Sequence, residues 1–177
     1  CAGTPFNLVV TVNPTSVITS AATKTVCDVT ALAYTATSST AGALFSWTRA
    51  VVAGISNGAG AGATALINES LDNTTTSPVS TIYIITPSIN GCNGTPFNLT
   101  VTVNPIGQVD QPVNQALCNG ANTAAVNFTT VNGGGVTTYG WTNSVPGIGL
   151  AASGTGNIGV FAAIKAGRAP VVTTIIV

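Results

Sequence analysis

The chain has 177 residues, enough for one large domain or two smaller ones. Hydrophobic residues make up 45% of it and charged residues only 5%, against about 25% charged in an ordinary soluble domain, so Thr, Ser and Asn must supply the polar surface. Four basic and four acidic residues cancel and histidine is absent, which leaves no footprint for nucleic acid or anionic lipid and little material for acid-base, metal or triad chemistry.

In chain order, the first element is a strand pattern within residues 1–14, where Phe6, Leu8, Val10 and Val12 fall on alternate positions and so share one face. β-rich runs follow at 30–37 and 43–51. Residues 54–77 are irregular, and their Gly58–Ala63 alternation reads as a flexible loop. Further β-rich runs lie at 79–86, 97–103, 124–130, 137–143 and 171–177, separated by Gly, Asn and Pro clusters such as Gly133-Gly134-Gly135. No helix is needed. No apolar run reaches the roughly 18 residues of a membrane-spanning helix, so membrane insertion is not expected.

The chain is also self-similar. Residues 92–105 repeat residues 1–14 with changes only at Ala2/Asn93 and Val9/Thr100. The spacing from Pro14 to Cys27 recurs from Pro105 to Cys118, and that from Tyr34 to Trp47 recurs from Phe128 to Trp141. Pro78-Val79 matches Pro170-Val171. The reading is therefore residues 1–14 as the last strand of a preceding or neighbouring unit, 15–105 as a complete unit, and 106–177 as an incomplete one. Short strands at this density, with an aromatic-x-Trp strand near the middle, predict an all-β protein made of tandem immunoglobulin-like β-sandwiches, the second lacking its last strand.

Together the segment Cys92-x-Gly94-Thr95-Pro96-Phe97-x-Leu99 to Pro105, Cys118-Asn119-Gly120, Tyr139-x-Trp141-Thr142 and Gly149 to Gly156 resemble the PKD-like repeat of long, tandemly repeated surface proteins in Gram-negative gliding and biofilm-forming bacteria. That resemblance implies export, commonly by type IX secretion, and a place in adhesins or filaments.

Four cysteines without histidine or a C-x-x-C motif lack the spacing of metal or redox sites. Disulfides remain, and the repeat nominates Cys27 with Cys92 inside the complete unit, in an oxidising extracellular compartment. Lipidation of Cys1 is a rival reading, opposed by its identity with the internal Cys92. Several other features read as structural. Gly154-x-Gly156-x-x-Gly159 fits the dinucleotide fingerprint literally, but no acid follows Asp110, so it reads as a loop. Glu69 and Asp72 read as a solvated loop rather than a glycosidase pair, and Trp47 and Trp141 as core rather than sugar platforms. No catalytic residue, metal ligand or cofactor is expected.

The leading expectation is a structural repeat of an extracellular bacterial filament or adhesin stalk. Its partners are other copies of itself, or adjoining repeats, met head to tail. Phe6, Leu8, Val10 and Val12 would form a donor strand that completes residues 106–177 of a neighbour, with Cys1 and Cys118 bridging the joint. Separate subunits and one long polypeptide both satisfy this scheme; the resemblance favours the polypeptide. The alternative is a glycan-binding module or an accessory domain of a secreted enzyme.

Overall fold

The computed structural model describes residues 1–177 and divides them into two units, Cys1–Ile106 and Gly107–Val177. The strands are β1 (Thr23–Cys27), β2 (Tyr34–Thr35), β3 (Leu44–Arg49), β4 (Gly60–Gly62), β5 (Leu66–Ile67), β6 (Val79–Ile89), β7 (Cys92–Asn93) and β8 (Phe97–Asn104) in the first unit, and β9 (Gly140–Asn143), β10 (Ser153–Thr155) and β11 (Ile175–Ile176) in the second. A 3-10 turn at Pro146–Ile148 is the only helical segment, and the chain is all-β.

In the first unit the main sheet runs β1-β8-β6-β3-β4, with β7 paired to the end of β6. Strand β8 lies between two partners. It runs antiparallel to β6 from Val79↔Val103 to Ile85↔Phe97, and parallel to β1 from Thr23↔Thr100 to Cys27↔Asn104. Its alternation works as a two-period pattern should: Leu99, Val101 and Val103 are fully buried while Asn98, Thr100 and Thr102 turn to the other face. A second layer is built from β2 and β5, paired at Tyr34↔Ile67. It brings Leu32, Tyr34, Ile67 and Leu71 against Trp47, Tyr83, Ile85, Leu99, Val101 and Val103 in one core, with Phe97 at its margin.

Residues 58–63 are not a flexible loop: Gly60–Gly62 is an edge strand paired with Trp47–Arg49. The glycines serve contact rather than flexibility. A Cβ on Gly62 would stand 2.6 Å from the Trp47 ring, and one on Gly60 would stand 2.6 Å from the Glu69 carboxylate.

In the second unit β9 is central, antiparallel to β10 at Trp141↔Gly154 and to β11 at Asn143↔Ile175 and Thr142↔Ile176. These registers correspond to Trp47↔Gly62, Arg49↔Tyr83 and Thr48↔Ile84 of the first unit. Gly154 lies against Trp141 as Gly62 lies against Trp47, so Gly154 and Thr155 belong to a strand and not to the expected loop. The core is smaller, with Phe128, Trp141 and Ile158 buried and Phe161 and Ile175 packed beside them. Its strands are also shorter than expected. Residues 124–130 make one isolated bridge, Val126↔Ile158, residues 171–177 pair only at Ile175–Ile176, and residues 114–118 form no strand.

The expected Cys27–Cys92 disulfide is absent: all four cysteines are exposed thiols. The sheet separates this pair. Cys92 pairs with Ile89 at one end of the 11-residue strand β6, whereas Cys27 lies beside Asn104, next to the Val103 that pairs with Val79 at the other end. A strand of that length spans roughly 30 Å, while a disulfide needs Cα atoms about 4–7 Å apart.

Candidate functional site

A groove of about 1000 Å³ lies in the second unit. Residues 111–119 form one wall and residues 170–177 the other, and Val126, Phe128 and Phe161 lie between them. By the repeat, 114–118 corresponds to β1 and 171–177 to Val79–Ile85 of β6. In the first unit the strand that runs between those two partners is β8. Residues 111–118 and 171–174 along the groove belong to no strand. Apolar side chains are exposed there: Leu117, Val171, Val172 and Ile176 are all at least 45% accessible.

Residues 1–14, which repeat the sequence leading into and through β8, form no strand. Phe6, Leu8, Val10 and Val12 are 73–89% exposed, although their counterparts Leu99, Val101 and Val103 are fully buried. An unpaired segment with a row of exposed large apolar side chains is costly to leave in water, at about 1.5–3 kcal/mol for each such side chain that burial would cover. Phe6, Leu8, Val10 and Val12 are thus exposed in a segment without strand pairing.

Where residues 1–14 join the first unit, the chain is anchored. Asn13 accepts a hydrogen bond from the Asn90 amide at 3.2 Å, and its own Nδ2 donates to Cys92 Sγ at 3.8 Å. Ser16 is fully buried, and its carbonyl lies so close to Gly94 that a Cβ there would stand 2.0 Å away. Glycine is required at that crossing.

Of the other sequence candidates, Glu69 is not in a solvated loop. It accepts from Arg49 Nε at 3.0 Å and Nη2 at 3.2 Å, and from the Tyr83 hydroxyl at 2.7 Å. The Arg49 side chain is 1% exposed, its guanidinium also donates to Gly58 O at 2.7 Å, and it lies 5.8 Å from the centre of the Tyr83 ring. Burial opposes charge on Glu69, but the hydrogen bonds from Arg49 and Tyr83 outweigh it and hold the carboxyl below its ordinary range. Burial first, and then the bond to Glu69, push the Tyr83 phenol above its ordinary value. This network ties the second layer to the main sheet, and the sequence reading missed it. The available signal was alternation in β3: Phe45, Trp47 and Arg49 share a face, so Arg49 had to be buried and in need of a carboxylate.

Asp72 accepts instead from the Ser56 hydroxyl, Asp28 from the Asn73 amide, and Asp110 from the Thr129 hydroxyl. The carboxylates are thus committed to separate structural bonds, and Glu69 and Asp72 do not face a common space as a catalytic pair. No three His, Cys, Asp or Glu side chains group as metal ligands. Trp47 and Trp141 are each 8% exposed and present no face for a sugar ring.

No curated protein and no solved structure matches the chain. Residues 24–107 match a family model described as a PKD-like domain, an interval that begins in β1 and runs past the end of β8. The matched interval takes in all but the first residue of β1 and the whole of β2 to β8.

Proposed function

We propose that the chain is a structural repeat of an extracellular bacterial surface filament or adhesin stalk, assembled head to tail by strand complementation. The second unit is then an immunoglobulin-like repeat whose last strand comes from residues 1–14 of a neighbouring copy. One observation carries this reading: a groove is lined by the counterparts of β1 and of the first part of β6, while a near-duplicate of the strand that lies between β1 and β6 in the first unit stands exposed.

The chemistry is favourable. Seating Phe6, Leu8, Val10 and Val12 removes four large apolar side chains from water, for a gross gain of roughly 6–12 kcal/mol before ordering costs. It also gives both groove walls a hydrogen-bonded ladder. Donor and acceptor are different surfaces, so the contact is heterologous and propagates instead of closing a two-fold dimer. A chain with few charges offers little like-charge repulsion against such stacking. The matched PKD-like interval agrees with a structural role, and an exposed surface setting suits a Thr- and Asn-rich exterior.

The 177-residue chain is expected to form a ladder of oligomers as concentration rises into the micromolar range, seen by size exclusion with light scattering and as rods in micrographs. Leu8→Asp with Val10→Asp is expected to leave a folded monomer, because both residues are solvent-exposed within a copy and buried only between copies. Equal assembly of wild type and the double variant would overturn the proposal.

A further inference from the structure

We infer that oxidised joints are locked by a disulfide between Cys118 of one copy and Cys92 of the next, so that these thiols serve assembly and not the fold of a single unit. This rests on strand insertion as proposed above and adds the covalent partner and its position.

The placement follows from pairings inside the first unit. Cys27 is the residue of β1 aligned with Asn104 of β8. By the repeat, Cys118 takes the place of Cys27 and an inserted Asn13 that of Asn104. Strand insertion therefore sets Cys118 of the accepting copy beside Asn13 of the donor. Side chains at aligned positions of adjacent strands leave the sheet on the same face. The Asn13 side chain already reaches Cys92 of its own copy, with Nδ2 3.8 Å from Sγ. Asn13 thus stands between two thiols that come from different copies, both of them exposed and free. Carried one repeat along, the same rule joins Cys27 of the accepting copy to Cys1 of the donor.

This arrangement differs from the expected Cys1–Cys118 bridge. Cys1 precedes the inserted strand and Cys118 lies beside its end, so the two are separated by the length of that strand, as Cys92 is from Cys27. The bond forms by thiol–disulfide exchange with a small-molecule disulfide. One cysteine thiolate attacks the small disulfide and releases a small thiol, and the second cysteine thiolate attacks the mixed disulfide and releases another. Two cysteine thiols are oxidised and one small disulfide is reduced to two thiols, with both protons accounted for.

Two variants test it. Cys1→Ser with Cys27→Ser keeps only Cys92 and Cys118, and the variant with all four cysteines changed to Ser keeps only strand insertion. An equal mixture of 15N-labelled and unlabelled Cys1→Ser/Cys27→Ser chains is assembled and treated with oxidised glutathione. Cleavage before aspartate, which separates Cys92 from Cys118 at Asp110, is followed by mass spectrometry without reductant. The expected result is a Cys92–Cys118 linked peptide that includes heavy–light pairs, and a non-reducing ladder that collapses on reduction. If the cysteine-free variant forms rods while the oxidised two-cysteine variant gives no such linked peptide, or only light–light and heavy–heavy links, the disulfide inference is overturned and strand insertion stands. If the cysteine-free variant stays monomeric at every concentration, strand insertion itself fails.

Discussion

Trp47→Ala is expected to destabilise the first unit by about 3–5 kcal/mol in denaturant melts, the cost of a large cavity in a core that cannot collapse around it. The ring is buried between the two layers, 5.6 Å from the Tyr83 ring centre and tilted 58° to it, and Gly62 is held open for it. One term opposes the loss. The indole Nε1 has no hydrogen-bond partner, and leaving such a group buried costs about 1–3 kcal/mol. Truncation removes that penalty with the ring, which places Trp47→Ala toward the lower end of its range. Trp47→Phe removes the same penalty while keeping most of the apolar contact, and is expected to cost less than about 1.5 kcal/mol. A loss below about 1 kcal/mol for Trp47→Ala would contradict this picture of the core. Trp141→Ala meets a smaller buried cluster, and its effect in monomers is expected to be smaller.

Glu69→Ala is expected to destabilise by on the order of 3 kcal/mol, because it strands a buried guanidinium with only backbone carbonyls as acceptors. The Glu69 side chain is 24% exposed against 1% for Arg49, so water softens the loss. Replacing both partners together, as Arg49→Met with Glu69→Leu, is expected to recover only part of it, since an apolar pair leaves no charge unpaired but takes from the Tyr83 hydroxyl the carboxylate to which it donates. The pH dependence has two edges. Glu69 has a folded pKa below its ordinary 4.5, so its contribution is present above that value and is lost as pH falls through the folded pKa. Tyr83 has a folded pKa above its ordinary 10.0, so its contribution is present below pH 10.0 and is lost as pH rises through the folded pKa. Melting temperature across pH should therefore hold a plateau between those edges, and Glu69→Ala should flatten the acid edge. An acid edge as steep in the variant as in the wild type would contradict the assignment.

Strand character was legible where side-chain alternation was clean. Phe97 to Val103 reads directly as a half-buried strand because each inward position is apolar, and Trp47 could be placed in the core from its neighbours. Strand β1 was not legible, since only Val26 in Thr23–Cys27 is buried and the strand is held by its parallel ladder to β8. In the sequence the β-rich run beginning at Val79 spans 79–86, ahead of Pro87. In the structure β6 continues to Ile89: Pro87 accepts from the Gly94 amide through its carbonyl and is asked for no donor. Glycine misled twice, at Gly62 and Gly154, where the missing side chain makes room for a tryptophan ring instead of a flexible turn. For the candidate site, the matching segments at 1–14 and 92–105 were visible in the sequence. Cysteine placement was not, because equal spacing along a repeat does not say where two thiols stand in a sheet; the alignment of Cys27 with Asn104 and of Cys92 with Ile89 puts them at opposite ends.

Amide hydrogen exchange of Phe6 to Val12 measures strand insertion most directly. In the Leu8→Asp/Val10→Asp monomer these amides should exchange at the rate of an unpaired chain, whereas in assembled wild-type protein they should become protected together with residues 114–118 and 171–177, the two walls of the groove. Rapid exchange of Phe6 to Val12 in assembled material would contradict strand complementation as the means of assembly.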